Sequence, residues 1–263
     1  MRGAVASSNI VCPNAAHRFA PGYTYGVVMP PDRSALLRGL PLFERVHPEL
    51  LDLLAGTALE RRVAPHQKLA SQGESFPFLG IVFEGSVVAL ASSATGRQQL
   101  LYEATPCDSF GEISLLDEGS TLSQFAAGDR GATFMMVPKR ALEIACGSEP
   151  ALALRIARLA ARRARVLTQR LADLAFDSTT TRIVRIILSF CPDLPAAAME
   201  VSGQWIAAPS ELLRLSQSQL AERAGTVRIV ASRVLRALAK NGNIVLDRGR
   251  IARLNPIVLA RML

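Results

Sequence analysis

The chain has 263 residues, 49% of them apolar and 20% charged, and a formal net charge of +8. That is enough chain and enough apolar side chain to bury a core in one large or two smaller globular domains, and it excludes a disordered polymer. The charge is uneven: residues 1–150 hold 12 Lys+Arg against 15 Asp+Glu (net −3) and residues 151–263 hold 18 against 7 (net +11), so the second part is expected to meet a polyanion.

Residues 1–33 contain Pro13, Pro21, Gly22, Pro30 and Pro31 without a sustained period, and read as an N-terminal extension. No secretory leader is read there, and the uncharged apolar runs fall short of the roughly 18 residues that span a bilayer, so a cytoplasmic protein without membrane contact is expected. SALLRGLPLFERV and HPELLDLLAGTAL have leucines three and four apart, and Pro48 suits a first helical turn. From Arg61 to about Lys139, short apolar runs (FLGIVFEG, SVVALAS, QQLLYEA, ATFMMV) alternate with turn residues, which predicts an antiparallel roll or sandwich.

Pro150 opens the longest helical stretch, 26 residues without Gly or Pro. At 1.5 Å per residue it would run about 39 Å. Ala160, Ala164, Leu167, Leu171 and Leu174 lie on one face at coiled-coil spacing, while Arg158, Arg162, Arg165 and Arg170 lie largely off it. A two-chain seam accounts for that length better than a core helix does. A hinge at Thr179–Thr181 leads to the apolar helix RIVRIILSF, and the Pro/Ala-rich CPDLPAAAM then breaks the chain.

LSQSQLAERAGTVRIVASRVLRALAKNG, from Leu215 to Gly242, reads as two helices. Ser216 and Gln219 form a capping box for the first. Ala221 permits a close helix crossing, and Gly225 suits a left-handed turn residue. On the second helix Val227, Ala231, Val234, Leu235 and Leu238 would pack down, leaving Arg228, Ile229, Ser232, Arg233 and Arg236 outward. That is a helix-turn-helix, whose second helix enters the major groove by its N-terminal half. NGNIVLDRGRIARLNP follows as a hairpin, with Arg248 and Arg250 at its tip in reach of phosphates. The candidate DNA contacts are Ser216, Gln217, Arg228, Ile229, Ser232, Arg233, Arg236 and Arg248.

Taken in order over residues 36–259, these motifs resemble the CRP/FNR family of bacterial transcription regulators. FLGIVFEGSVV is similar to that family's glycine-turn strand pair, FGEISLL to its phosphate-binding cassette, and DLAFDSTTTRIVRIIL to its dimer helix and hinge. The resemblance implies an α+β chain. An antiparallel β-roll of the cyclic-nucleotide-binding type, a double-stranded β-helix, would cover 34–148. A dimerisation helix would cover 149–177 and a winged helix-turn-helix domain 178–263. It implies a homodimer on a palindromic operator in double-stranded DNA, with RNA polymerase as a further partner if the protein activates.

The resemblance also marks departures. Its effector pocket maps to Gly111, Glu112, Leu122, Ser123, Leu167 and Thr168. Members that bind cyclic AMP carry an Arg-Ser pair where this chain has Leu122-Ser123, and a Thr-Ser pair where it has Leu167-Thr168. Loss of the cation that would hold the phosphate argues against cyclic AMP. With only Cys12 near the N-terminus an iron–sulfur cluster is unsupported, and haem has only His17 or His66 to recommend it. No cofactor or metal is expected, and the four scattered cysteines suggest reduced thiols. Cys107 stands where the family has a turn glycine and is a candidate redox residue. On the recognition helix, Ile229 replaces the family's glutamate while Arg233 keeps its arginine. That predicts a half-site with a retained guanine contact and a changed neighbour. A nucleotide-binding module acting on a protein partner is the rival function, as is a redox- or haem-sensing regulator. No catalytic signature is found, and an enzyme is not expected.

Overall fold

A computed structural model describes residues 33–191 and 205–263. The extension, apart from Arg33, and most of the Pro/Ala-rich break lie outside the described residues. Two compact units divide what is described: residues 33–89 with 102–163, and residues 90–101 with 164–191 and 205–263.

The first unit opens with α1 (Arg33–Arg38), a short 3-10 turn at Pro41–Phe43, and α2 (Pro48–Thr57), which Pro48 starts as expected. Six strands follow: β1 (Leu59–Val63), β2 (Lys68–Ala70), β3 (Phe78–Ser92), β4 (Gln98–Ala104), β5 (Ser109–Phe110) and β6 (Gln124–Pro138), with the short helix α3 (Glu112–Asp117) between the last two. They form one sheet in the order β1-β6-β3-β4, with β2 also on β6 and β5 also on β3. The β1–β6 pairing is antiparallel, Leu59 opposite Met136 and Val63 opposite Ala132. Edge strand β1 reads LERRV and is exposed along four of its five residues, so its charges guard an open hydrogen-bonding edge.

FLGIVFEGSVV is not two strands around a glycine turn. It lies within the single 15-residue strand β3, with Gly85 inside it. Gly85 has φ +69°, and a Cβ there would collide with the carbonyl of Gly131, itself at φ +75° in the 15-residue β6. Two long strands therefore bend together at facing glycines, where side chains on either would hold the backbones apart. An antiparallel roll is what the alternating runs predicted. A bend that keeps its ladder is hard to separate from a turn in sequence.

The core of this unit joins α1, α2, the sheet, α4 (Lys139–Ser148) and the start of α5 (Pro150–Phe176). Phe110 is fully buried among Phe76, Phe125 and Phe134, at ring-centroid distances of 5.7, 5.3 and 5.4 Å. Leu152 and Ile156 anchor α5 to this core at 0% and 2% exposure. Each such burial contributes roughly 1.5–3 kcal/mol.

In the second unit, α5 ends at Phe176 and α6 (Thr179–Ser189) starts almost at once. The threonines expected to form a hinge are the first turn of α6. Ser178 caps it by accepting the Thr181 amide at 3.1 Å, so a cap ends one helix and starts the next. Then come β7 (Ile206–Ala207), α7 (Ser210–Arg214), α8 (Gln217–Ala224), α9 (Arg228–Lys240), β8 (Ile244–Asp247), β9 (Arg250–Leu254) and α10 (Pro256–Ala260). The expected hairpin is present, and β7 pairs with β9 to make it a three-stranded sheet, β7-β9-β8. β7 is two residues long and too short to leave a periodic signature. Ile183, Val184, Ile187, Leu220, Ala231, Leu235 and Leu238 are fully or almost fully buried in this unit's core.

Replacing Gly85 by alanine should destabilise the first unit by about 2 kcal/mol or more, since φ and space both oppose a side chain. Urea unfolding of the two proteins measures it, with the DNA-binding unit's own transition unchanged.

Candidate DNA interface and effector site

The helix-turn-helix is built as the sequence required. Ser216 Oγ accepts the Gln219 amide at 3.2 Å, and Gln219 Oε1 accepts the Ser216 amide at 2.8 Å. Gly225 ends α8 at φ +63°. A Cβ on it would meet the Leu174 side chain and the Gln99 amide, so this turn is tight in space as well as in dihedral. Arg182 donates to the Ala224 carbonyl at 2.8 Å and to the Asp177 carbonyl at 2.7 Å. A guanidinium at the end of α8 meets the negative end of its dipole and ties α6 to it.

On α9, Ala231, Leu235 and Leu238 are buried and Val234 is half-buried, as expected. Val227 is not: it is the N-cap residue and 38% exposed, because the helix begins only after it. Arg228, Ile229, Arg233 and Arg236 are exposed and Ser232 is half-buried. Ile229, at 70% exposure, is an apolar side chain left in solvent on a basic face. Arg228 and Arg233 make no hydrogen bond or ion pair among the described residues. Arg236 reaches only back along its helix, to the Ser232 carbonyl at 3.4 Å.

Two of the candidate contacts already serve the fold. Ser216 spends its hydroxyl on the cap, and Gln217 Nε2 donates to the Gly249 carbonyl at 2.9 Å, joining α8 to the hairpin tip. The tip is the two-residue turn Arg248-Gly249, both at positive φ (48° and 78°), and Arg248 is exposed there. Arg250 is exposed as well, and it also serves the fold. Its Nη1 donates to the Arg214 carbonyl at 2.8 Å and braces the wing against α7.

The expected effector residues divide. Gly111 is the left-handed residue (φ +85°) that opens α3, and Glu112 follows it at 0% exposure. Ser123 is buried, whereas Leu122 is 67% exposed. On α5, Leu167 is half-buried and Thr168 exposed. What sequence reasoning missed is the partner of Glu112. Arg163 of α5 donates through Nε to Glu112 Oε1 at 3.2 Å and through Nη2 to the Ser109 carbonyl at 2.9 Å. Its guanidinium carbon stands 3.6 Å from the ring centre of Tyr102, a cation–π stack. Burial and the neighbouring Glu112 charge push the Tyr102 hydroxyl well above its ordinary pKa, against the opposing pull of Arg163. Among the described residues, Glu112 Oε2 is buried with no hydrogen-bond partner. One signal was available. Ile156, Arg163 and Arg170 fall seven apart, and Arg170 also turns to its own chain, donating to the Leu100 carbonyl at 2.7 Å.

Cys107 has the positive φ, 72°, that its position suggested. Pro106-Cys107 are the centre of a turn in which the Asp108 amide donates to the Thr105 carbonyl at 2.8 Å. Cys146 and Cys191 are free, and burial pushes both thiols up. Cys107 is disulfide-bonded, which departs from the expectation of reduced thiols throughout. His66 is exposed beside Asp129, at 3.7 Å. His17 and Cys12 lie outside the described residues. Among the described residues no cluster of His, Cys, Asp or Glu could hold a metal, and no helix is long and apolar enough to cross a membrane.

Comparison with known proteins agrees with this geometry. Residues 60–148 match the family model of the cyclic nucleotide-binding domain, and residues 181–262 that of the Crp-like helix-turn-helix domain. The cyclic AMP receptor protein of Thermus thermophilus is 30% identical over 216 residues, 82% of this chain and 93% of that protein. The structure of another CRP-family transcriptional regulator from Thermus thermophilus is 26% identical, covers 76% of this chain and 95% of that one, and aligns with a TM-score of 0.57. A c-di-GMP-responsive global regulator of Xanthomonas campestris shares the fold at 20% identity and a TM-score of 0.65, over 80% of this chain and 100% of its own. The chain belongs to the CRP/FNR family and is a DNA-binding transcription regulator.

Ser216→Ala should lower the stability of the DNA-binding unit by about 1 kcal/mol by removing its cap. The preferred DNA sequence should be unchanged. Thermal unfolding and site selection with the variant check the two halves of that expectation.

Proposed function

We propose that this regulator acts as a homodimer on a palindromic operator and that its DNA binding is not controlled by cyclic AMP. The observation that carries the operator reading is the unengaged face of α9, where Arg228, Ile229 and Arg233 stand exposed near the helix start. Arg233 is suited to guanine O6 and N7, and Ile229 to a thymine methyl in place of the cytosine contact a glutamate would make. Arg228 and Arg248 are suited to phosphates, while Ser216 and Gln217 support the fold first. RNA polymerase is a partner only if the protein activates.

The dimer reading rests on α5. Its face at Ala160, Ala164, Leu167, Leu171 and Leu174 is half-buried or exposed in the single chain, with Leu171 at 66% and Leu174 at 40%. A second copy of the same stripe would cover it, although Leu174 also packs at Gly225. The two recognition helices would then need a separation of about 34 Å to reach successive major grooves.

Cyclic AMP names the Thermus relative, yet here Leu122 brings no cation to the roll and Glu112 is already paired. An anion entering beside Glu112 would meet a carboxylate without a free positive partner. Operator binding should therefore be the same with and without added cyclic AMP, as fluorescence anisotropy would measure. A rise of tenfold or more on adding it would contradict this reading.

Two substitutions test the rest. Leu171→Asp should weaken the dimer by roughly tenfold or more, about 1.4 kcal/mol, read as a shift to monomer in sedimentation. Arg233→Ala should cost about 1–3 kcal/mol and relax one operator position, whereas Arg228→Ala should weaken all sequences alike and reduce the salt dependence by about one phosphate contact.

A further inference from the structure

We propose that Cys107 is a redox-modification site that pairs with Cys12, so that a reversible disulfide fastens the N-terminal extension to the β4–β5 turn of the roll. The pairing stands apart from the dimer reading and from the cyclic AMP reading above.

Three observations support it together. The chain has four cysteines, Cys12, Cys107, Cys146 and Cys191. Cys107 is disulfide-bonded, while Cys146 and Cys191 are free. Within one chain that leaves Cys12, which lies outside the described residues, as the partner. The second observation is where the two free thiols sit. Cys146 packs against the core of the first unit and Cys191 against that of the second, and burial pushes both thiols up. Neither is a ready nucleophile, since the thiolate is the form that attacks a disulfide. The third is the protein's own work. A DNA-binding transcription regulator acts at DNA, in the company of the cell's reducing thiols. In that setting a disulfide is usually transient and redox-sensing, not a permanent staple.

The turn that carries Cys107 is built without help from the bond. The Cys107 amide donates to the Val82 carbonyl at 2.9 Å, and the Val82 amide donates to the Asp108 carbonyl at 3.0 Å. Asp108 Oδ2 accepts the Thr105 amide at 3.1 Å and the Thr105 hydroxyl at 2.9 Å. These bonds hold Cys107 at φ +72°, a backbone setting that side chains rarely adopt. The sulfur is therefore presented from a fixed place in either redox state. Cys107 is half-buried between exposed Pro106 and Asp108, which leaves it open to a small thiol. Pairing with Cys12 closes a loop of about a hundred residues, from the extension through α1, α2 and the first four strands. Closing so long a loop removes freedom from the unfolded chain, so the oxidised first unit is the harder one to unfold.

The chemistry is thiol–disulfide exchange with a low-molecular-weight disulfide such as oxidised glutathione. One protein thiolate attacks a sulfur of that disulfide, forms a mixed disulfide and releases one glutathione thiolate. The second protein thiolate attacks the protein sulfur of the mixed disulfide and releases the other. Two protein thiols thus give up two protons and two electrons, and one glutathione disulfide becomes two glutathione thiols. Excess reduced glutathione runs the same steps backwards.

The test equilibrates the full-length protein in glutathione buffers of varied ratio, quenches it in acid, unfolds it and alkylates its free thiols. Mass spectrometry should find all four cysteines alkylated in millimolar reduced glutathione. In excess oxidised glutathione it should find only Cys146 and Cys191 alkylated, with the Cys12 and Cys107 peptides joined. Urea unfolding should show the oxidised first unit at least tenfold less unfolded than the reduced one at the same urea concentration, and the DNA-binding unit unchanged. Cys12→Ser should abolish that redox difference. Cys107→Gly provides a second route: glycine adopts this backbone setting freely, so the variant should fold and show no redox difference. Four alkylated cysteines at every ratio, a bond that includes Cys146 or Cys191, a glutathione adduct as the end product, or a covalent link between two chains would each overturn the pairing. A bond unmoved by excess reduced glutathione would overturn its reversibility, and equal unfolding of the two redox states would overturn the fastening.

Discussion

A charge with no access to water must be answered by another charge, and in this protein the answer to Glu112 comes from the helix that leaves the roll. Breaking such a pair typically costs about 3–5 kcal/mol, because one partner is left buried and alone. The pair joins the two parts of the first unit whose relation matters most, the turn at Gly111–Glu112 and the body of α5. It sits on the α5 stripe that includes Ile156 and lies beside the apolar stripe of Leu167 and Leu171. One side of the helix is thus committed to its own chain while another remains available.

The DNA-binding unit is held by a different logic, in which polar side chains fix the backbone and leave the reading face unengaged. Ser216 and Gln219 cap α8, Arg182 meets its far end, Gln217 holds the hairpin tip and Arg250 braces the wing on α7. With those groups spent on the scaffold, Arg228, Ile229 and Arg233 remain the side chains aimed away from it. A rigid scaffold with a few free side chains is what base readout needs, since phosphate contacts orient a protein but carry no sequence information.

Much of this was legible in the sequence where a local rule had one solution. A serine three residues before a glutamine, a glycine at a helix end and alanines at a helix crossing gave the helix-turn-helix, and the break-free 26 residues gave α5. Other features depended on distant partners. Gly85 reads as a turn until Gly131 is known to lie opposite, when it becomes a bend in a continuous strand. Arg163 is one arginine among several on α5; its spacing of seven from Ile156 and Arg170 is its one mark in the sequence, and its burial against Glu112 is set by the fold. Val227 departs from its expected packing for a related reason: where a helix starts is set by tertiary placement.

The proposed function requires a dimer of this chain to read a specific sequence without cyclic AMP. The most direct measurement is selection of binding sites from random duplex DNA with purified protein and no added nucleotide. Enrichment of one two-fold palindrome, with a guanine kept in each half and a changed neighbouring pair, is the predicted result. No enrichment without a nucleotide, followed by enrichment of a palindrome once cyclic AMP is added, would contradict it.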